Sequence, residues 1–351
     1  MKAMLAITKA SLTAMFRSPQ AVFFSLFFPV VLIVIFGALS SRGGISVDVA
    51  FDKASDTTSR LYQTLTHIPV LHVETGAEEE LMDRLKKGRI TALINVQKTT
   101  DTNSAQPYSI HLKTTQASQR NLPVLNSILQ SVINGQSRQV ISVEEIRGRE
   151  YSYIDFLLPG LIGFSLIGAA IFGVAFVFYS FRETLVLKRL YSTPIKRGYI
   201  VVGESIARII FQLLTAVVLI LFGKYFYHFT LAHEWVTFLE LIVLSFLGLV
   251  VFMGFGYVIS GIAKNQNVIP VYANLFMFPQ YFLSGTFFPI TSLPEGLQKI
   301  VRFLPLTALN DALRQVSFEG GHIWNVWPEI LILLAWGIVI YFIAIKVFRW
   351  E

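Results

Sequence analysis

Long uncharged runs joined by short charged stretches set the pattern of this chain. Residues 18–41 contain no Asp, Glu, Lys or Arg, with Arg17 just before them. Spanning a bilayer takes roughly 20 apolar residues in helix, so this run predicts a first span. Its apolar core is too long for a cleaved signal peptide. Comparable runs at 156–181, about 199–223, 241–263, 268–289 and 330–345 predict five more, the last extended by Trp327 and Lys346. Residues 1–17 place Met4, Leu5, Ile7, Leu12 and Met15 or Phe16 among lysines. That spacing suits an amphipathic helix on the inner membrane surface, and equally a plain lead-in to the first span.

The pattern changes between residues 42 and 153. Residues 46–51 alternate like a strand, 77–87 read as a helix with acids in its first turn, and 90–96 read as a buried strand. Residues 108–113 alternate again, and 122–146 are long enough for one helix. The expected fold is therefore a polytopic α-helical membrane protein. It has six transmembrane helices plus a small α/β extracytoplasmic domain between the first and second. The expected divisions are 1–17, 18–41, 42–153 and 154–351. The last contains a cytoplasmic loop at 182–198 and short extracytoplasmic helices at 290–318.

Composition agrees with this pattern. The chain is 54% hydrophobic and 15% charged over 351 residues, with mean hydropathy +0.58, far too apolar for a soluble protein. Cysteine is absent, which removes disulfides and thiolate metal sites. The net charge of +7 is uneven: 13 basic and 13 acidic residues cancel between Arg42 and Asp155, leaving 16 basic against 9 acidic elsewhere. A nucleic-acid binder would carry its excess on a soluble face. Here Lys2, Lys9, Arg17, Arg182, Lys188, Arg189, Lys196, Arg197, Lys264, Lys346 and Arg349 fall on one side of the six spans. Short loops rich in Lys and Arg stay inside, so both termini are expected in the cytoplasm. All six histidines then lie outside or at the outer interface.

Catalytic signatures are missing. The chain has no HExxH, GxSxG or GxGxxG motif and no GxxxxGK[ST] phosphate loop. His228 and His233 are wrongly spaced to share one helical face. Glu204 and Arg208 read as an intrahelical ion pair at the inner end of the third span. No ionisable residue stands near the middle of any span, which disfavours a proton- or sodium-coupled pump. No catalytic residue and no metal ligand is expected.

Two segments stand out. In FRETLVLKRLYSTPIKRGYIVVGE, residues 181–204, five basic residues accompany apolar Leu187, Leu190 and Tyr191 at helical spacing, ahead of Thr193-Pro194. In residues 274–314, Pro279, Ser284-Gly285 and Pro289 interrupt an apolar run. That predicts a broken span, followed by short amphipathic helices at the outer surface separated by Pro305. Gly160, Gly163, Gly168 and Gly173 along the second span would permit close helix approach, between two copies or within one chain.

These residues resemble the type-2 permeases of ATP-binding-cassette (ABC) exporters, in the subgroup with a large extracytoplasmic domain after the first span. The family's RExGTLKRLxxTP signature is matched by Arg182, Glu183, Leu187, Lys188, Arg189, Leu190, Thr193 and Pro194, with Leu185-Val186 replacing Gly-Thr. Its Gly-Pro break and PLTxxxxxxR pattern are matched by Ser284, Gly285, Pro289, Pro305, Leu306, Thr307 and Arg314. The outer-domain stretches VDVAFDKASDTTSR and EEELMDRLKKGRITALINV resemble the subgroup as well.

The resemblance implies a dimeric permease moving a hydrophobic or amphipathic substrate out of a bacterial cytoplasmic membrane. Its energy would come through the coupling residues 182–194 from a separate ATPase that holds ATP and Mg, so this chain itself carries no cofactor. Pathway or dimer walls are expected at Gly160, Gly163, Phe164, Phe278, Gln280, Tyr281, Ser284, Gly285 and Pro289. Expected partners are an ABC ATPase, a second permease copy or close paralogue, membrane lipid and a periplasmic adaptor, with no nucleic acid. Two rivals are a membrane scaffold or signalling component and an integral membrane enzyme acting on lipid.

Overall fold

The computed structural model describes residues 2–41, 47–68, 70–86, 90–98, 108–115, 122–133, 141–146, 153–184, 197–290 and 293–347. In chain order, α1 (Lys2–Arg17) and α2 (Pro19–Val22) lead through a π-helical turn, Phe23–Phe27, into α3 (Phe28–Ser41). A second unit follows: β1 (Val47–Phe51), α4 (Arg60–Thr66), β2 (Leu71–Glu74), α5 (Glu78–Lys86), β3 (Ala92–Lys98), β4 (Tyr108–Thr115), α6 (Leu122–Ile133) and β5 (Ile141–Ile146). Then come α7 (Tyr153–Glu183), α8 (Arg197–Tyr227), α9 (Trp235–Ile262) and α10 (Val268–Leu283). The short α11 (Glu295–Val301) and α12 (Pro305–Ser317) precede α13 (Trp327–Val347).

The chain divides into two compact units, Leu39–Ser152 and the remainder. In the smaller unit the strand order is β2-β1-β3-β4-β5, with only the β3–β4 pair antiparallel. Side chains alternate between the faces of a sheet, and both faces are used. Val49, Ile94 and Leu112 pack with Leu65 of α4 and Leu125 of α6, while Ala50 and Leu93 pack with Leu81 and Leu85 of α5.

The expected single helix over 122–146 is instead a described helix over Leu122–Ile133 and an edge strand over Ile141–Ile146. β-branched Ile141, Val143 and Ile146 suit a strand. Two further elements went unforeseen. One is α4, whose N-cap Ser59 accepts a hydrogen bond from Tyr62 N at 3.2 Å. The other is β2, too short to show alternation.

In the larger unit α7, α8, α9 and α13 are each long and apolar enough to cross a membrane, with shorter apolar helices at Ser25–Phe36 and Val268–Leu283. The protein is a multi-pass membrane protein. Helix α7 is its spine, buried along much of its length. The N-terminal helix α1 packs lengthwise on α8: Thr8 Oγ1 donates to Gly203 O at 3.0 Å, and the Phe16 and Phe211 rings meet edge-on at 5.1 Å. A side chain at Gly203 would press on Met4 O at 3.0 Å, so glycine sets that approach. At the π-helical turn, Ser165 of α7 donates to Ser25 O at 2.8 Å and accepts from Gln212 of α8 at 3.0 Å. A carbonyl released from the regular ladder at such a turn is free to take this bond.

In the smaller unit, burial and nearby Glu74 raise the Asp48 carboxyl above the ordinary carboxylate range. A raised folded-state value means stability that is complete at low pH and lost as pH rises from the unfolded-state value through the folded one. Asp48→Asn in the full chain is therefore expected to slow amide exchange in β1 and β3 at pH 7. The wild type should approach the variant as the pH falls towards 4, about the unfolded-state value. Hydrogen-exchange mass spectrometry at both pH values reads this.

Candidate functional site

Helix α10 runs through Pro279 without interruption and ends at Leu283. The break lies at Ser284-Gly285, where Gly285 takes φ 71°, a conformation glycine reaches without a Cβ penalty. After it, α12 packs among α7, α9 and α13, while the short α11 before it and the connection at 302–303 are largely exposed. Trp336 Nε1 of α13 donates to Phe303 O at 2.8 Å, and Gly163 of α7 faces Leu306 and Asn310. Gly163 lies about 15 Å along α7 from Tyr153, at 1.5 Å per residue. The amphipathic pattern of α12 was legible, but its apolar face meets protein: Leu306, Leu309, Leu313 and Val316 are all buried.

Non-helical backbone at this depth needs partners from the protein, and α12 supplies them. Asn310 Nδ2 donates to Ser284 O at 3.2 Å and to Thr286 Oγ1 at 3.1 Å. Gln280 Oε1 accepts from Leu306 N at 3.1 Å, one of the donors left over at the start of α12. The Arg314 guanidinium donates to Gly285 O and, through Nε, to Phe156 O at 3.1 Å, and lies 3.9 Å over the Phe156 ring. Gly160 receives the Thr286 backbone, which would stand 2.6 Å from any Cβ there. Aromatic rings line the α3 side of this seam: Phe164 sits 4.2 Å from Tyr281, 5.9 Å from Phe287 and 6.0 Å from Phe28, centroid to centroid.

Of the expected wall residues, Gly160, Gly163, Phe164, Gln280, Tyr281, Ser284 and Gly285 thus meet at one seam between α7, α10 and α12. Phe278 and Pro289 are exposed, and the Phe278 ring meets the Tyr281 ring edge-on at 6.5 Å. The glycines of α7 face partners within the same chain: Thr286, Asn310, the Tyr281 hydroxyl for Gly168 and the Arg208 guanidinium for Gly173. The residue that sequence reasoning missed is Asn310, buried in the middle of α12. A polar side chain within an apolar stripe was the available signal.

At the Arg182 end of α7 a second polar cluster forms. Glu204 and Arg208 of α8 pair at 2.7 Å, and Ser205 Oγ meets Tyr257 Oη of α9 at 2.6 Å. Arg182 donates to Gly261 O at 3.3 Å and Ala263 O at 2.6 Å, while Glu183 is exposed. Leu187, Lys188, Arg189, Leu190, Thr193 and Pro194 lie outside the described residues. At the other end of the bundle, His322 stacks on His233 at 4.3 Å and pairs with Glu240 at 3.2 Å. Among the described residues no group of three His, Cys, Asp or Glu is placed to hold a metal ion.

The family described as ABC-2 family transporter protein matches residues 20–346. The chain belongs to that family. Both polar clusters therefore sit inside the ABC-2 region. Among similar proteins, ABC transporter G family member 20 of Dictyostelium discoideum is 28% identical over 55% of this chain and 26% of its own length. The probable multidrug ABC transporter permease YbhR of Escherichia coli (strain K12) is 26% identical over 46% of this chain and 44% of its own. The chain thus matches less than half the length of either. Linearmycin resistance permease protein LnrN of Bacillus subtilis (strain 168) is 21% identical over 99% of this chain and 100% of its own.

The seam of this ABC-2 chain predicts a specific coupling. Gly163→Ala would drive a Cβ into Asn310 Oδ1 and Leu306, at a cost of about 1–3 kcal/mol. Asn310→Ala alone leaves the Ser284 carbonyl without its donor and also destabilises. The double variant is expected to lose less than the two single losses added, because the shorter side chain removes the clash. Thermal unfolding of the detergent-solubilised single and double variants reads this.

Proposed function

We propose that this chain is the permease subunit of an ABC exporter. Its membership of the ABC-2 family over residues 20–346 carries the reading. In this reading six spans cross the membrane: residues 18–41, α7, α8, α9, α10 with its break, and α13. Both termini and residues 182–198 face the cytoplasm, and the α/β unit lies outside, following the distribution of Lys and Arg. A bacterial cytoplasmic membrane is the setting.

The chain carries no phosphate loop, so ATP and Mg belong to a separate ATPase subunit that docks on the basic segment. Two permease copies, identical or paralogous, enclose the path, and a periplasmic adaptor extends it. The seam around Gly285 supports the mechanism. It joins the broken span to α12 through side-chain hydrogen bonds, so α10, α12 and the adjoining part of α7 move as one block when the ATPases close. The substrate is a hydrophobic or amphipathic molecule, in keeping with relatives whose names include a multidrug permease and a linearmycin resistance permease.

Two measurements test this. Affinity purification of the chain from its own host is expected to bring down an ATPase with a phosphate loop, and charge reversal at Lys188 and Arg189 is expected to cut the amount at least fivefold, in the ordinary range for coupled sites. A preparation free of any ATPase would sink the reading. Because the chain has no cysteine, single cysteines report sidedness cleanly. A membrane-impermeant maleimide on intact cells should label Thr57→Cys and reach Thr184→Cys only after permeabilisation. The opposite labelling would overturn the orientation.

A further inference from the structure

Helix α9 ends at Ile262, and the last carbonyls of any helix lack intrahelical partners. Two of these acceptors are taken by one side chain from another helix. Arg182 Nη1 donates to Gly261 O at 3.3 Å and Nη2 to Ala263 O at 2.6 Å. A guanidinium offers paired donors in a rigid fork, and a cation suits the negative end of the helix dipole. Tyr179, one turn earlier on α7, lies 5.1 Å from the Arg182 guanidinium and donates to Lys264 O at 3.4 Å. Three acceptors around the end of α9, the carbonyls of Gly261, Ala263 and Lys264, are therefore held by the last turns of α7. The same spot is closed from behind by α13, where a side chain on Gly261 would meet Val347 O at 2.7 Å.

The next residues along the chain behave differently. Glu183 and Thr184 are exposed, and the Thr184 hydroxyl donates to Ser180 O of the preceding helix. The helix that follows the basic segment, α8, is also tied to α9, through Ser205 and Tyr257 at 2.6 Å. Both stems of the segment 185–196 are thus anchored to one helix.

We infer that Arg182 is a positioning residue that clasps the stem of the basic segment to α9, and not a residue presented to the ATPase. This rests on the permease reading above, and it assigns the signature's first residue to the inside of the protein. A push on residues 185–196 is then delivered to α9, and through the turn at 263–267 to the start of α10. Glu183 is left as the described residue of the signature that faces outward.

The test uses the complex as purified from its host and reconstituted in nanodiscs. Arg182→Ala is expected to retain the copurified ATPase in wild-type amount while ATP turnover falls at least fivefold, in the ordinary range for coupled sites. Arg182→Lys, which reaches one carbonyl at a time, is expected to fall between. The decisive arm restores the tie by other means. In the Arg182→Ala background, exposed Thr184, outside the matched signature residues, and Asn265 are changed to cysteine and joined with a short bismaleimide, which is expected to recover turnover.

The introduced pair is unambiguous because the chain has no other cysteine. Loss of the ATPase from Arg182→Ala, with the wild type retaining it, would overturn the inference alone by showing Arg182 at the docking surface. Failure of the cross-link to restore turnover would also overturn it. An ATPase absent from the wild type would overturn both this inference and the permease reading.

Discussion

No water reaches the hydrocarbon core to satisfy a backbone carbonyl, and that constraint organises this bundle. The chain violates helical continuity once at depth among the described residues, at Ser284-Gly285, and the cost falls on α12. Asn310 and Arg314 bond the carbonyls of Ser284 and Gly285, and Gln280 returns the favour to Leu306 N. Helix α12 lies within the bundle because those partners have to stand where the broken backbone is. The glycines at 160 and 163 follow from the same need, since α7 must yield room for the Thr286 backbone and the Asn310 side chain. The break, the burial of α12 and the glycines are three consequences of one unsatisfied stretch of chain.

The same logic recurs at the opposite end of α7 in a different form. There the exposed acceptors are ordinary helix-end carbonyls, and a guanidinium covers them. The buried charge of Arg208 is handled within its own helix by Glu204, and Gly173 gives the guanidinium space against α7. Polar side chains in the larger unit thus join helices at several levels, including Ser165 with Gln212 and Tyr341 Oη with Val250 O in the middle of α9.

Much of this was legible in the sequence for a physical reason. Bilayer spans are read from length and composition alone, and α7, α8, α9 and α13 are long, nearly uncharged runs. The break was also signalled, since Ser284-Gly285 beside Pro289 cannot continue a helix, although Pro279 proved compatible with one. In the smaller unit the helix at 78–86 and the strands at β1, β3 and β4 followed their periodicities. The edge strand β5 did not, because one neighbour and a short length leave little pattern to read. Seven residues expected as pathway or dimer walls lie in the seam, whereas Asn310 went unnamed, because a single Asn carries no periodic signal.

What the sequence alone determined is where the chain meets lipid, since hydropathy is local and each span satisfies its own backbone. It also shows no phosphate-loop motif in this chain. The tertiary structure alone decided which groups face each other. Gly163 against Asn310, Arg314 against both Gly285 and Phe156, and Arg182 against the end of α9 join positions between 29 and 158 residues apart in numbering. No local pattern encodes such pairs. They arise because the folded bundle brings unsatisfied backbone and long polar side chains to the same depth, where only one another can serve as partners.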